Sequence, residues 1–331
     1  MNQHLMNAKT DDPPPGWKSR VWLCIGDGVK KGLRTGAWML GIMLPISLAV
    51  ELLRYFGVLG RFAPYLEPVF RRLGVPAESV LGCLSAGFLS VYAGIAAIST
   101  IPLTDRQLTI LAMLMLVAHN IPMESAIQHK AGTSVWRMSV LRVVVALAAA
   151  YLMNLFLPAG DPAARTRGVA QATAAGFWPF LGAWGLGMAR LSALICGIVI
   201  GLMVLQRILQ EFKVMDWLAV PLTPALWLMG LPRRLAFLWI VANVVGLAYG
   251  AGIILEDVET GALTRKDAQL LNRSIGICHS LLEDSLLFIA IGAWAFWITV
   301  PRLALAAAVV WGYRAAVALL PARKFVKKTE T

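Results

Sequence analysis

Six apolar stretches, each near the length of a membrane crossing, recur along the chain. They lie at roughly residues 35–56, 79–102, 139–158, 185–206, 234–255 and 302–320. A helix of about 20 predominantly apolar residues spans the hydrocarbon core of a bilayer. Helix is also a form in which such a segment satisfies its own backbone in lipid. Of the 331 residues, 58% are apolar and only 15% charged. Soluble domains average about 45–50% apolar and 25% charged. Too little polar side chain remains to clothe a water-facing surface. That excludes a soluble enzyme, a disordered chain and a fibrous one. Two further stretches, 107–123 and 268–300, are short or interrupted by polar residues, and we read them as helical hairpins. The expected fold is all-α: a polytopic membrane protein of about eight to ten helices, some short or re-entrant.

The net charge is +12. The cations gather at the ends, at Lys9, Lys18, Arg20, Lys30, Lys31 and Arg34 and again at Arg323, Lys324, Lys327 and Lys328. Placed there, they read as positive-inside topology and contact with anionic lipid. Nothing suggests a nucleic-acid groove. Both termini are expected on the cytoplasmic side of a bacterial inner membrane, which makes the number of crossings even. Residues 1–16 look like a disordered tail with no cleaved signal peptide. Residues 17–33 place Val21, Trp22, Ile25 and Val29 at helical spacing between cations and read as an interfacial amphipathic helix. Cys24, Cys83, Cys196 and Cys278 form no Cys-x-x-Cys pair, and no disulfide framework is expected.

The chain also repeats itself. A shift of 156 brings Gly41 onto Gly197, Phe56 onto Phe212, Pro68 onto Pro224, Gly74 onto Gly230 and Pro76 onto Pro232. Beyond an insertion near 255–262 the shift becomes 160, and Thr104 meets Thr264, His119 meets His279, Glu124 meets Asp284, Gly132 meets Gly292 and Arg142 meets Arg302. Apolar residues align by chance; a His, an acid, a Gly and an Arg in one order at one offset do not. The expected organisation is a tail and amphipathic helix (1–33), membrane repeat 1 (34–158), a linker and lead-in (159–189), membrane repeat 2 (190–320) and a basic tail (321–331). The repeats are expected to be inverted, by analogy with transporters, whose sites lie at the repeat interface.

Ionisable residues at membrane depth are costly and tend to face a cavity or the bundle interior. The candidates for a binding site are His119, Glu124, Arg142, His279, Glu283, Asp284 and Arg302, with Asn243 from a Gly-rich span. His279 and Glu283, four apart, would share a helix face. His119 and Glu124 are five apart and need a helix break, expected at Pro122. Each Arg reads either as a snorkelling anchor or as the partner of a nearby acid, Glu124 or Asp284, or of an anionic substrate group. Asn272, Arg273 and Ser274 stand where the first copy has Ala112, Met113 and Leu114, which suggests an asymmetric site with more polar chemistry in the second copy. Thr104-x-x-Gln107 fits a capping box, with Thr264-x-x-Asp267 a looser version. No phosphate-binding loop, nucleophile elbow or zinc-spaced Cys/His cluster is present, so no catalytic residue, metal ligand or cofactor is expected.

Together these residues carry a resemblance. Leu-Gly-Val-Pro (residues 73–76), the Tyr-Ala-Gly span at Tyr92, then Leu103-Thr104, His119, Glu124, Gly132 and Arg142 resemble the Gate, or nucleoside recognition, domain. That domain occurs in spore maturation proteins A and B, in the membrane part of the ferrous-iron transporter FeoB and, more distantly, in concentrative nucleoside transporters. The resemblance implies a bacterial membrane protein of transporter type, with two gate-like copies over 34–152 and 190–312. The GTPase domain of FeoB is missing, and the nucleoside label does not name a substrate. The expected function is a permease for a small polar or anionic solute, in which a carboxylate or His could couple transport to protons. The expected partners are membrane lipid, that solute and, compatibly, a second copy of the chain. The alternative is a membrane scaffold whose His, acids and Arg fix helix register.

Overall fold

The computed structural model describes residues 16–159, 176–244 and 246–319, and its regular elements are helices, with no strand among the described residues. The first half holds α1 (Trp17–Tyr55), α2 (Val58–Leu73), α3 (Val80–Phe88), α4 (Val91–Ile98), α5 (Asp105–Ala118), α6 (Ile121–Lys130) and α7 (Val135–Phe156). The second holds α8 (Phe177–Glu211), α9 (Val214–Leu228), α10 (Ala236–Val244), α11 (Leu247–Glu259), α12 (Arg265–Ile277), α13 (Glu283–Ala290) and α14 (Ala295–Leu319). A single 3-10 turn opens α3 at Ala77–Ser79 and α10 at Arg233–Leu235. The order and approximate lengths of the elements thus run alike in the two halves. The chain is a polytopic membrane protein: among the described residues, five helical segments are long and apolar enough to cross a membrane, or six if the pair 221–244, bent by 114°, counts as one crossing. The outer faces of α7 and α14 leave large apolar side chains exposed, among them Val144, Leu155 and Trp311, as a lipid-facing surface requires.

Three expectations change here. The amphipathic helix of residues 17–33 is no separate element but the first half of the 39-residue α1. Its glycines show how: Gly28 and Gly32 set one face of this segment against α8, while Trp22 and Leu23 stay exposed on the other. The runs at 79–102 and 234–255 are not single crossings. Ser90 turns extended and its hydroxyl caps α4 by accepting from the Ala93 N–H at 3.2 Å. Gly246, at φ 101°, marks the same break between α10 and α11. Hydropathy cannot register a break whose residues are Ser, Gly and Leu. The tail at 1–15, most of the linker (160–175) and the basic tail from 320 lie outside the described residues.

The capping signals form as their chemistry requires. Thr104 and Gln107 make a full box, with Gln107 N–H donating to Thr104 Oγ1 at 3.2 Å and Thr104 N–H to Gln107 Oε1 at 3.0 Å. At α12 the Thr264 hydroxyl instead donates to the Asp267 carboxylate at 2.6 Å while accepting from its N–H. These caps start α5 and α12 inside the protein. α5 is deeply enclosed, with Ile110, Leu111, Ala112, Met113, Met115, Leu116 and Val117 fully buried.

The longest contact is between α1 and α8. Arg20 pairs with Glu211, Asp27 with Arg207, and Ser47 with Trp184 and Met188. Rising numbers on one helix meet falling numbers on the other, so the two run antiparallel. Between these pairs the backbones touch. A Cβ on Gly28 would lie 2.5 Å from the Val204 Cα, and one on Gly32 2.7 Å from the Ile200 Cα. Four-residue spacing of small residues permits such approach, and the nearest atom an added methyl would meet is backbone, which cannot turn aside. Gly32→Ala is therefore expected to lower stability by about 1–3 kcal/mol, the cost of overpacking. Gly41→Ala, whose Cβ meets nothing within 4 Å, is the control. Unfolding midpoints in detergent compare them, and equal midpoints would contradict the close seam.

Candidate functional site

α5 ends at Ala118, inside the protein, and this creates a problem that the site residues solve. The last carbonyls of a helix have no partner within it, and no water replaces one in an apolar surround. His119 is the C-terminal cap, and its Nδ1 reaches back to Met115 O at 3.1 Å and Leu116 O at 3.2 Å. Arg142, from α7, donates from Nε to Val117 O at 2.9 Å and from Nη2 to His119 O at 2.7 Å. The second half repeats the solution. His279 Nδ1 meets Ile275 O at 2.6 Å, and Arg302 of α14 donates from Nη2 to His279 O. Both Arg side chains are 0% exposed. Neither is a snorkelling anchor; each holds a helix end together.

The chain then turns sharply. Asn120 and Ser280 both adopt the left-handed region, at φ 46° and 47°. Their N–H groups donate to Ala86 O and Ala242 O, which closes each break against the preceding hairpin. The helix break therefore falls at His119–Asn120 rather than at Pro122, which sits in the first turn of α6, where Pro is tolerated. Glu124 and Asp284 lie in the first turns of α6 and α13. Helix N-termini favour anions, and C-termini favour cations. Acids at the two N-termini and His and Arg at the two C-termini follow that polarity.

The two breaks meet. His119 Nε2 and His279 Nε2 stand 3.2 Å apart. Glu124 Oε1 lies 3.2 Å from both, and Asp284 Oδ2 lies 3.5 Å from His119 Nε2. Glu124 turns its other oxygen to Arg142 Nη1 at 2.7 Å. The second half differs at this point. Asp284 Oδ2 makes no hydrogen bond, and neither do Nε and Nη1 of Arg302. Thus His119, Glu124, Arg142, His279, Asp284 and Arg302 form one buried centre between the halves.

Two of the expected residues stand outside that centre. Glu283 opens α13 while His279 lies beyond the end of α12, so they share no helix face. Glu283 instead accepts from the Tyr92 hydroxyl at 2.5 Å, a clasp between the halves. Asn243 spends its amide on Trp239 O at 2.9 Å and faces the Cys278 thiol at 3.8 Å. The polar trio of α12 also turns to packing. Asn272 donates to Thr133 Oγ1 at 2.7 Å and to Gln128 O at 3.2 Å, Ser274 accepts from Trp239 Nε1 at 3.0 Å, and Arg273 lies 3.5 Å from the centroid of the Tyr313 ring. Tyr92, Gln128 and Thr133 went unnoticed as partners. Only the Tyr-Ala-Gly motif around Tyr92 offered a signal.

The family described as Gate, nucleoside recognition, matches residues 37–134, the segment that carries His119 and Glu124. The uncharacterized membrane protein YvoD of Bacillus subtilis (strain 168) is 30% identical over 268 residues, covering 80% of this chain and 86% of YvoD. The chain belongs to the Gate, or nucleoside recognition, family. No solved structure matches it. The family match falls on the first of the two expected copies, and the second rests on the internal comparison alone.

A buried ion pair stripped of one member leaves an uncompensated charge, at a cost of about 3–5 kcal/mol. Arg142→Met is expected to cost at least this, because it also frees Val117 O and His119 O. Glu124→Gln in the Arg142→Met background is expected to recover part of the loss. Unfolding midpoints for the wild type, both single variants and the double variant measure the coupling. A double variant no more stable than Arg142→Met would mean that the pair contributes no net interaction.

Proposed function

We propose that this protein is a transporter-like permease of the Gate type for a small polar or anionic solute, working in the bacterial inner membrane. The observation that carries this reading is the meeting of both His residues, with one acid and one Arg from each half, at a single buried point between the halves. Secondary transporters use discontinuous helices whose ends face such a point. Glu124, Asp284 and the two imidazoles are groups that can exchange protons during a cycle. Arg302, a fully buried cation beside the Cys278 thiol and Asp284, supports an anionic or hydrogen-bonding solute. A cavity of about 180 Å³ lies at the α1–α8 seam, lined by Asp27, Lys31 and Gln206 among others.

On this reading the chain transports and does not catalyse, both termini are cytoplasmic, and the halves are inverted repeats. The antiparallel run of α1 against its counterpart α8 supports inversion. Lys130→Cys and Ala290→Cys test it, since these positions are equivalent and exposed. In a background without native Cys, an impermeant maleimide is expected to label them from opposite faces of the membrane. Labelling of both from one face would overturn the inversion.

Transport itself is tested in proteoliposomes with radiolabelled uridine and inorganic phosphate, with and without a pH gradient. His279→Ala, Asp284→Asn and Arg302→Ala are each expected to reduce uptake at least about tenfold, the loss expected from about 1.4 kcal/mol of lost interaction. Uptake equal to wild type in all three would reject the assignment. The second reading, a membrane scaffold, is favoured by Arg142, whose guanidinium is committed to two helix-end carbonyls and Glu124. Equal loss of stability in the variants, with no uptake of either probe by the wild type, would select it.

A further inference from the structure

Both imidazoles have a fixed tautomer. Each Nδ1 faces a backbone carbonyl, and a carbonyl can only accept. Each Nδ1 therefore carries the hydrogen, and in the neutral rings each Nε2 turns a lone pair toward the other across 3.2 Å. Glu124 Oε1 and Asp284 Oδ2, also acceptors, face the same point. Lone pairs at this separation repel unless something positive lies among them.

We propose that a divalent transition-metal ion binds here, with His119 Nε2, His279 Nε2 and Asp284 Oδ2 as its ligands and Glu124 Oε1, 3.2 Å from both imidazoles, positioned to complete the set. The spacing carries the argument. Four ligand atoms about 2.0–2.1 Å from a tetrahedral ion stand about 3.3–3.4 Å from one another. The distances here are 3.2 Å between the two Nε2 atoms, 3.2 Å from each to Glu124 and 3.5 Å from His119 to Asp284. The atoms of His119, His279 and Asp284 all lie within 4.8 Å of one another, and the three residues are buried. Asp284 Oδ2 has no hydrogen bond to give up. The surrounding contacts are those that orient metal ligands: Nδ1–H to a carbonyl on each His, and Arg142 on the outer oxygen of Glu124. Imidazole and carboxylate together suit zinc, iron, cobalt or nickel better than calcium or magnesium. Two guanidiniums offset the two carboxylates, so the ion keeps most of its charge, which favours exchange over permanent retention. Spacing along the sequence could not reveal this, because the two His are 160 residues apart.

The inference rests on the reading of this centre as the functional one, but equilibrium binding separates its failure from the failure of transport. The probe is Co²⁺, titrated at micromolar concentration into purified protein in detergent and followed by visible absorption. One Co²⁺ per chain is expected, with the intense bands of a tetrahedral site, displaced by Zn²⁺. His119→Gln and His279→Gln are each expected to weaken binding by roughly a hundredfold, at or above the effect of removing an outer-shell partner, with the gel-filtration profile retained. Asp284→Asn, isosteric and so least able to disturb the fold, must weaken binding as well. No saturable uptake by the wild type would overturn the proposal. So would an octahedral spectrum, or unchanged binding in Asp284→Asn. Co²⁺ binding without uptake of any solute would leave the metal site standing and remove the transport reading.

Discussion

A helix that stops in an apolar interior must still satisfy its last carbonyls, and the centre of this protein is organised around that need. α5 and α12 end there, far from water. Arg142 and Arg302 reach in from α7 and α14 to take up the exposed carbonyls, and each His bonds back to its own helix. Once the breaks exist, the short helices after them present N-termini that stabilise acids. A backbone requirement thus assembles a polar cluster in a chain that is otherwise hydrocarbon.

The two halves solve the problem alike but not identically. In the first, Arg142 also closes on Glu124 at 2.7 Å. In the second, Asp284 turns to His119 of the other half, and two donor atoms of Arg302 stay unpaired. The two like-built helix ends bring the imidazoles together. The ends differ in how their acid and Arg are paired, since Glu124 meets Arg142 while Asp284 meets His119 across the centre.

How much of this could be read beforehand depended on the kind of signal. Composition and run length identified a helical membrane protein, because burial in lipid acts on every residue. The offset of 160 identified the His, acid and Arg as a set, because rare residues in fixed order resist chance. The breaks at Ser90 and Gly246 were invisible to hydropathy, since an interrupted apolar run remains an apolar run. Glu283 was misplaced because helix-face geometry was applied across a turn at Ser280 that ends the helix first. Asn272 looked like site chemistry, yet it ties α12 to Thr133 of the other half. A polar residue in an apolar protein must bond to something, and sequence alone does not say whether the partner is a ligand or the fold.

The seam of α1 and α8 has a mechanical consequence. With Gly28 and Gly32 against the backbone of Val204 and Ile200, the two helices approach more closely there than side chains on both would allow. Sliding would drive backbone ridges over one another, whereas a small rotation about the line of contact keeps them seated. The close stretch of the seam therefore opposes sliding of α1 along α8 more than rotation about it.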